Sequence, residues 1–384
     1  MRKAGQVGVR LVLIAASWTS AVAMAQVGPP PVPSGRVESD PGLTAVDAAW
    51  RDAWRRNVEA YLRGVAERGT PRDLLAAGWL WPMETDEASI AERGVPSRPQ
   101  AREWIQAAYE GARGDDALVD WTLLDACPMS GATCDRGRLL QRLLSADPGN
   151  AEILLTAYQY AIERKDAAAT ESYWQAATRG THYRPRINEL GALMASVLRR
   201  APAPVLDPAL AAASGEDLGL GRSATASDMA DIVVMGLNVA IAMPTLQPIQ
   251  QRCSARVGRL PADTRAACKR IYALLAADGS TPLPALVALP RLVEWADTDA
   301  ERTEARARLR RFAWLYENSL RQYGRPAQER RLPVDHLDRV FRDGELAAMR
   351  YQLGREGIAA EPPAGWQPDH PEWRALLAGA PVPR

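Results

Sequence analysis

The chain has 384 residues, and 47% of them are hydrophobic, which is ample for a buried core in about two domains or one elongated array. Its 47 lysine and arginine residues almost balance its 46 aspartate and glutamate residues. A concentrated basic face is therefore not indicated, and we expect no nucleic-acid partner.

The first 25 residues have the pattern of a secretory signal peptide. A positive start is followed by an apolar stretch at 11–24 and by a small-residue cleavage pattern that ends at Ala25. The positive charges belong to Arg2, Lys3 and Arg10. A membrane anchor is the alternative, but the stretch contains Ser17 and Thr19 and is shorter than the roughly 20 residues that span a bilayer. We expect a periplasmic or secreted protein, cleaved after Ala25, with no membrane span in the mature chain.

Four cysteines in an exported chain predict two disulfide bonds. Three pairings are open, and the sequence alone does not choose among them. We favour the local pairs Cys127–Cys134 and Cys253–Cys268, because each would join the ends of two consecutive predicted helices. Neither pair has the C-x-x-C spacing of redox or zinc sites.

Helical patterns dominate the chain after a Pro/Gly-rich segment at 26–42, which is predicted to be a disordered spacer. Apolar residues recur every three or four positions, and cap signals precede several runs. Thr70-Pro71 is one such start, and Thr298 with Glu301 three residues later is another. No strand or hairpin pattern is convincing. The sequence predicts an all-α protein in which antiparallel helix pairs stack as a degenerate α-solenoid.

Composition divides the predicted helices into two parts. Residues 43–200 are predicted to form the helical array, 201–224 a Pro/Ala/Gly-rich linker, and 225–384 a more globular helical domain. The most apolar stretch, 229–246, could be a membrane span, a buried strand or a buried helix. It is short for a span and contains Asp231, and it is long for one strand, so we favour the helix.

Proline signals set several predicted helix ends. The helix that begins at Asp115 is predicted to stop at Cys127-Pro128, and the segment 282–295 is predicted to be short and broken by proline. A single helix is predicted from Val334 to Leu353.

Residues 147–180 have the pattern of two helices joined by a short turn. The pattern is carried by the turn Asp147-Pro148-Gly149-Asn150, Leu154, the turn Lys165-Asp166, Trp174 and Ala177. It resembles a tetratricopeptide repeat (TPR or Sel1-like), and Tyr158 and Thr170 depart from it because small residues are usual at their positions. The resemblance implies stacked helix pairs with a groove for a protein or peptide, the partner we expect. It also implies that the inner face of the first helix presents Glu152, Gln159 and Glu163 as binding residues.

The motifs of common catalytic sites are missing from the sequence. There is no G-x-S-x-G elbow and no phosphate-binding loop, and the three histidines are not spaced as metal ligands. We expect no cofactor, no metal and no catalytic residue, and we interpret His182, His336 and His370 as helix-cap or surface residues. The alternative is an enzyme acting on the envelope or a polysaccharide from an α-helical toroid. Two facing carboxylates, one with a raised pKa, would favour that alternative. Exposed stacking is expected at Trp79-Leu80-Trp81 and Trp366.

Overall fold

The computed structural model describes residues 41–81, 99–241, 246–254, 260–323, 325 and 335–379. The predicted signal peptide and most of the predicted spacer lie outside these residues. Within the described ranges the regular elements are all α-helices, and no β-strand occurs. The all-α prediction is confirmed.

The described part contains seventeen helices. The first nine are α1 Pro41–Glu67, α2 Pro71–Leu80, α3 Pro99–Gly111, α4 Ala117–Ser130, α5 Arg136–Ala146, α6 Ala151–Glu163, α7 Ala167–Thr178, α8 Ile187–Leu198 and α9 Pro208–Asp217. The remaining eight are α10 Ala226–Ile241, α11 Leu246–Arg252, α12 Ala262–Ala277, α13 Leu283–Glu294, α14 Asp299–Tyr323, α15 His336–Asp343, α16 Glu345–Arg355 and α17 Pro371–Ala378.

Two predicted cap signals are present as hydrogen bonds. The Thr70 hydroxyl accepts from the Asp73 N–H, and Pro71 is the first residue of α2. At α14 the Glu301 N–H donates to the Thr298 hydroxyl over 3.1 Å, and the Glu301 carboxylate accepts from the Asp297 N–H. These bonds satisfy N–H groups that have no partner inside the helix, which is why such residues mark helix starts.

Consecutive helices pack against each other and share three apolar cores. The first core joins α1–α6 to α8, α10 and α15. The second joins α6 and α7 to α11–α13, and the third joins α13 and α14 to α16 and α17. Helix α7 packs on α12, so the stack of helix pairs continues into the C-terminal half. Each pair therefore buries its apolar face on a neighbour, as expected for stacked helix pairs.

The predicted linker at 201–224 contains helix α9. The Trp50 indole N–H donates to the Pro204 carbonyl over 3.1 Å, which ties α1 to the segment before α9. Further along, the Arg199 guanidinium after α8 donates to both Asp231 of α10 and Asp338 of α15. A domain boundary at this segment stays a prediction.

The most apolar stretch forms a helix, α10, as favoured from the sequence, and the strand interpretation is wrong. Ala230 and Val234 face the first core, and Asp231 is held by Arg199. Across the described ranges, the helices are all too short or too polar to traverse a bilayer.

Two predictions made from proline signals are wrong. Helix α4 does not stop at Cys127-Pro128 but continues to Ser130, and Gly131, whose φ is +74°, caps its C-terminus. Helix α13 runs unbroken through Pro290. A proline removes one N–H from a helix, and here the cost is outweighed by burial of the apolar face of each helix.

A glycine splits the helix that was predicted to be single near the C-terminus. Gly344, with φ +90°, separates α15 from α16. A Cβ at this position would lie 2.4 Å from the Gly279 carbonyl oxygen, so only glycine permits this approach. The Glu345 N–H then donates to the Ser280 carbonyl over 2.8 Å. The break is therefore imposed by a contact distant in sequence.

Both predicted disulfide bonds are present, and no cysteine is free. Cys127 of α4 joins Cys134 before α5 with a Cα–Cα distance of 6.0 Å. Cys253 after α11 joins Cys268 of α12 with a Cα–Cα distance of 5.9 Å. Each bond links two consecutive helices, as the sequence predicted.

Replacing Cys127 and Cys134 together with serine is expected to lower the free energy of unfolding by about 2–3 kcal/mol, because the bond closes a short loop in the unfolded chain. Urea unfolding of the oxidised proteins measures the difference. Thr133→Ala, an exposed change inside the same loop, serves as the control and should stay within about 0.5 kcal/mol of the parent. A double variant as stable as the parent would contradict the expected role of the bond.

Candidate functional site

The site begins at the turn that opens α6. The Asn150 side-chain oxygen accepts from the Glu152 N–H and from the Arg184 N–H, at 3.1 and 3.0 Å. Its amide donates to the Arg184 carbonyl, and the Ala151 N–H donates to the His182 carbonyl. One buried asparagine thus fixes the start of α6 against the segment that leads into α8.

Glu152, in the first turn of α6, is a buried acid. Glu152 is only 7% exposed, and its Oε1 is 3.5 Å from the Thr156 hydroxyl. The other oxygen, Oε2, has no hydrogen-bond partner in the described part of the chain. Burial raises the pKa of Glu152 to about 7, although a hydrogen bond from the buried Trp121 opposes the shift. A carboxylate without full hydrogen bonding is poorly stabilised here, which favours the protonated form.

A second carboxyl group, that of Asp125 on α4, lies near Glu152. Burial raises the pKa of Asp125 to about 6, and the positive charge of Arg136 opposes the shift. The Asp125 charge also contributes to the raised pKa of Glu152. The negative charge of Asp125 thus adds to burial in disfavouring the ionised form of Glu152.

A cluster of polar side chains lies at the C-terminal end of α6, and we call it the Arg136 cluster. It consists of Arg136, Gln159, Tyr160 and Glu163. The Arg136 guanidinium donates to Glu163 over 2.8 Å, and the Gln159 amide donates to the same carboxylate over 3.3 Å. The centre of the guanidinium lies 5.2 Å from the centroid of the Tyr160 ring. These contacts hold the four side chains together at a half-exposed to exposed surface.

The three residues predicted to bind a partner do not share one environment. Gln159 is half-buried and Glu163 is exposed, and they are hydrogen-bonded to each other. Glu152 is buried and accepts a hydrogen bond from Trp121, so it cannot contact a partner at the surface. Asp125, Arg136 and Tyr160 were missed from the sequence, which carries no motif that joins them to α6. A binding role for the predicted residues stays a prediction.

Arg186, at the start of α8, adds a positive charge to this site. Its guanidinium donates to Glu189 over 2.9 Å, and its Nε is buried with no hydrogen-bond partner among the described residues. Its charge lowers the pKa of Glu152, against the larger effect of burial. The site therefore contains buried acids flanked by arginines, and the Arg136 cluster forms its exposed edge.

Other predicted functional residues are placed differently from expectation. Trp79 is buried, and Trp81 and Trp366 are half-buried and pack edge-on against Trp104 and Trp314, so the expectation of exposed stacking platforms is wrong for Trp79.

The three histidines differ in their surroundings. His182 contacts Asp147, and His370 caps α17 by accepting from the Trp373 N–H. His336 opens α15 but is buried, which corrects its interpretation as a cap or surface residue. In the described ranges, no group of three or more His, Cys, Asp or Glu side chains is arranged to hold a metal ion.

Comparison of the chain with known protein families, with curated proteins and with solved structures finds no match.

Proposed function

We propose that this chain is an exported, non-enzymatic helical-repeat scaffold of the periplasm or cell envelope, which binds a protein or peptide through the Arg136 cluster. The observation that carries the proposal is the cluster itself. Arg136 and Tyr160 are of the types that dominate binding energy at interfaces, and their mutual contacts fix them before a partner arrives. Pre-ordered side chains lose less conformational entropy on binding.

The chemistry of the cluster favours a polar segment as its partner. Arg136 donates one N–H to Glu163 and has further N–H groups for carbonyl oxygens of a bound backbone. Glu163 is exposed and carries a negative charge for a lysine or arginine of the partner. The tetratricopeptide-like pattern at 147–180 supports the proposal, since such repeats bind peptides along their helices.

Two observations support export. The sequence of residues 1–25 has the pattern of a signal peptide, and the described chain contains two disulfide bonds, which persist in oxidising compartments.

Capture from an envelope extract of the producing bacterium tests the binding proposal. Gln159→Ala with Glu163→Ala should weaken the affinity for the captured partner by about tenfold, since the cluster loses its carboxylate and an amide. Calorimetry with the purified partner measures the affinity. The matched control is Gln175→Ala with Glu171→Ala, because α7 carries the same hydrogen-bonded pair. Unchanged affinity in the first variant, or an equal loss in the control, would reject the site.

The enzymatic alternative is favoured by one observation, the pair of raised-pKa carboxyl groups at Asp125 and Glu152. Against it, Glu152 is almost completely buried, so a polysaccharide could not reach the carboxyl group in this conformation. Glu152→Gln separates the two functions. A scaffold keeps its partner in this variant, whereas a carboxylate-dependent enzyme loses turnover of an envelope polysaccharide.

A further inference from the structure

A surface depression lies between the turn after α3 and one side of α5. Its volume is about 510 Å³, within the range of sites that bind small ligands. The residues that line it and bear on the argument are Arg113, Gly114, Arg138, Gln141, Arg142 and Ser145. Four of these follow one another at helical spacing along α5, which places them on one face of that helix.

Glycine at position 114 allows the depression to form. Its φ is +84°, a left-handed conformation that other residues rarely adopt. A Cβ at this position would lie 3.1 Å from Arg142 Cδ. The turn can therefore pass close to the aliphatic part of Arg142, a residue that lines the depression.

The Arg142 guanidinium is anchored from below. It donates to the Asp120 carboxylate over 3.0 Å, and Asp120 is only 1% exposed. This buried partner fixes the direction of the guanidinium and removes much of its freedom to turn away. A charged group that is oriented in advance binds a ligand with a smaller entropic cost.

The positive charges of the other two arginines are not neutralised by a nearby carboxylate in the described part of the chain. Arg113 and Arg138 are exposed, and neither has an ion-pair partner within the described residues. Asp116 is occupied by Arg72, and Asp115 is exposed beside Gly114. Counting Asp115 and Asp120 against the three arginines leaves one positive charge in excess.

We propose that this depression binds a multiply charged oxyanion, with Arg113, Arg138 and Arg142 as the donors. Guanidinium groups present paired N–H donors that match the oxygens of phosphate and carboxylate groups. The Gln141 side-chain amide supplies further N–H donors in the lining. The Ser145 hydroxyl donates to the Gln141 backbone carbonyl over 2.9 Å, so it is not counted among the donors. The site is separate from the Arg136 cluster and shares no residue with it, so it does not depend on the proposed peptide-binding function.

Isothermal titration calorimetry of the full-length mature chain, with sodium pyrophosphate and with sodium citrate as ligands, tests the proposal. The two ligands distinguish phosphorylated anions from polycarboxylates. We expect saturable binding at low ionic strength that weakens as salt is added. Tighter binding of pyrophosphate assigns the site to phosphorylated ligands, and tighter binding of citrate assigns it to polycarboxylates. Absence of saturable binding by both anions would overturn the proposal.

Variants of the exposed arginines locate the binding. Arg113→Gln and Arg138→Gln should each raise the dissociation constant by about tenfold. Arg142→Gln is not used, because it would leave Asp120 buried without its partner. The matched control is Arg179→Gln, which removes an equally exposed charge at the end of α7. Equal losses in Arg179→Gln and the other two would show only non-specific attraction and would reject the depression as a site.

Discussion

Replacing Trp174 with alanine is expected to lower the free energy of unfolding by about 3–5 kcal/mol. The residue is 1% exposed and lies in the second core, where α7 meets α12. The centroid of the Tyr158 ring lies 5.3 Å from that of Trp174, and the Arg252 guanidinium lies 4.5 Å from the Trp174 ring centroid. Removing the indole would leave a cavity where the two halves of the helical stack share their apolar contacts.

Urea unfolding followed by far-ultraviolet circular dichroism measures this loss. Gln175→Ala is the control, because the neighbouring side chain is exposed and bonds only to Glu171 on the same helix. It should change the free energy of unfolding by less than about 0.5 kcal/mol. A Trp174→Ala loss below about 1 kcal/mol would mean that the indole does not hold α7 to α12.

Much of the helical framework could be predicted from local patterns. Thr70 and Thr298 mark helix starts because their hydroxyls accept from N–H groups only three residues away. Leu154 and Trp174 are buried as expected from their positions on an apolar face. The disulfide pairs could also be predicted, since each links two consecutive helices. The helix caps and the disulfide bonds depend on residues that are close in sequence.

The wrong predictions depend on packing between distant segments. Proline usually interrupts a helix. Helix α13 nevertheless continues through Pro290, because it packs on both α12 and α14 and these contacts stabilise it. Gly344 breaks a helical pattern because the Gly279 carbonyl approaches from another loop. Neither contact can be predicted from the residues next to Pro290 or Gly344 in the sequence.

The candidate site shows the same limit. Helical spacing places Glu152, Gln159 and Glu163 on one side of α6, but spacing does not show what covers each residue. Only the first of the three is buried, and its hydrogen-bond donor Trp121 comes from α4, 31 positions earlier. A charged residue in the first turn of a helix is usually exposed at the N-terminus, so burial of Glu152 could not be expected from the sequence.

Glu152→Gln is expected to make the protein more stable above pH 7, by on the order of 3 kcal/mol. The pKa of Glu152 is raised from 4.5 to about 7 by burial. Between these values the folded chain keeps a proton that the unfolded chain has released, so raising the pH through this window favours unfolding. Glutamine has nearly the same shape, can accept the same hydrogen bonds and has no proton to lose. The variant should therefore match the parent near pH 4.5 and exceed its stability at pH 8.

Urea unfolding of the parent and of Glu152→Gln at several values between pH 4.5 and 8 tests this expectation. Asp125, whose pKa is also raised, to about 6, contributes to the pH dependence of both proteins. The difference between them therefore reports Glu152 together with its interaction with the Asp125 charge. The control is Glu163→Gln, an exposed substitution on the same helix, which should change the free energy of unfolding by less than about 1 kcal/mol. If the gain from Glu152→Gln were the same at pH 5 and pH 8, the carboxyl group would have to be solvated in the folded chain. The argument from burial against an enzyme would then no longer hold.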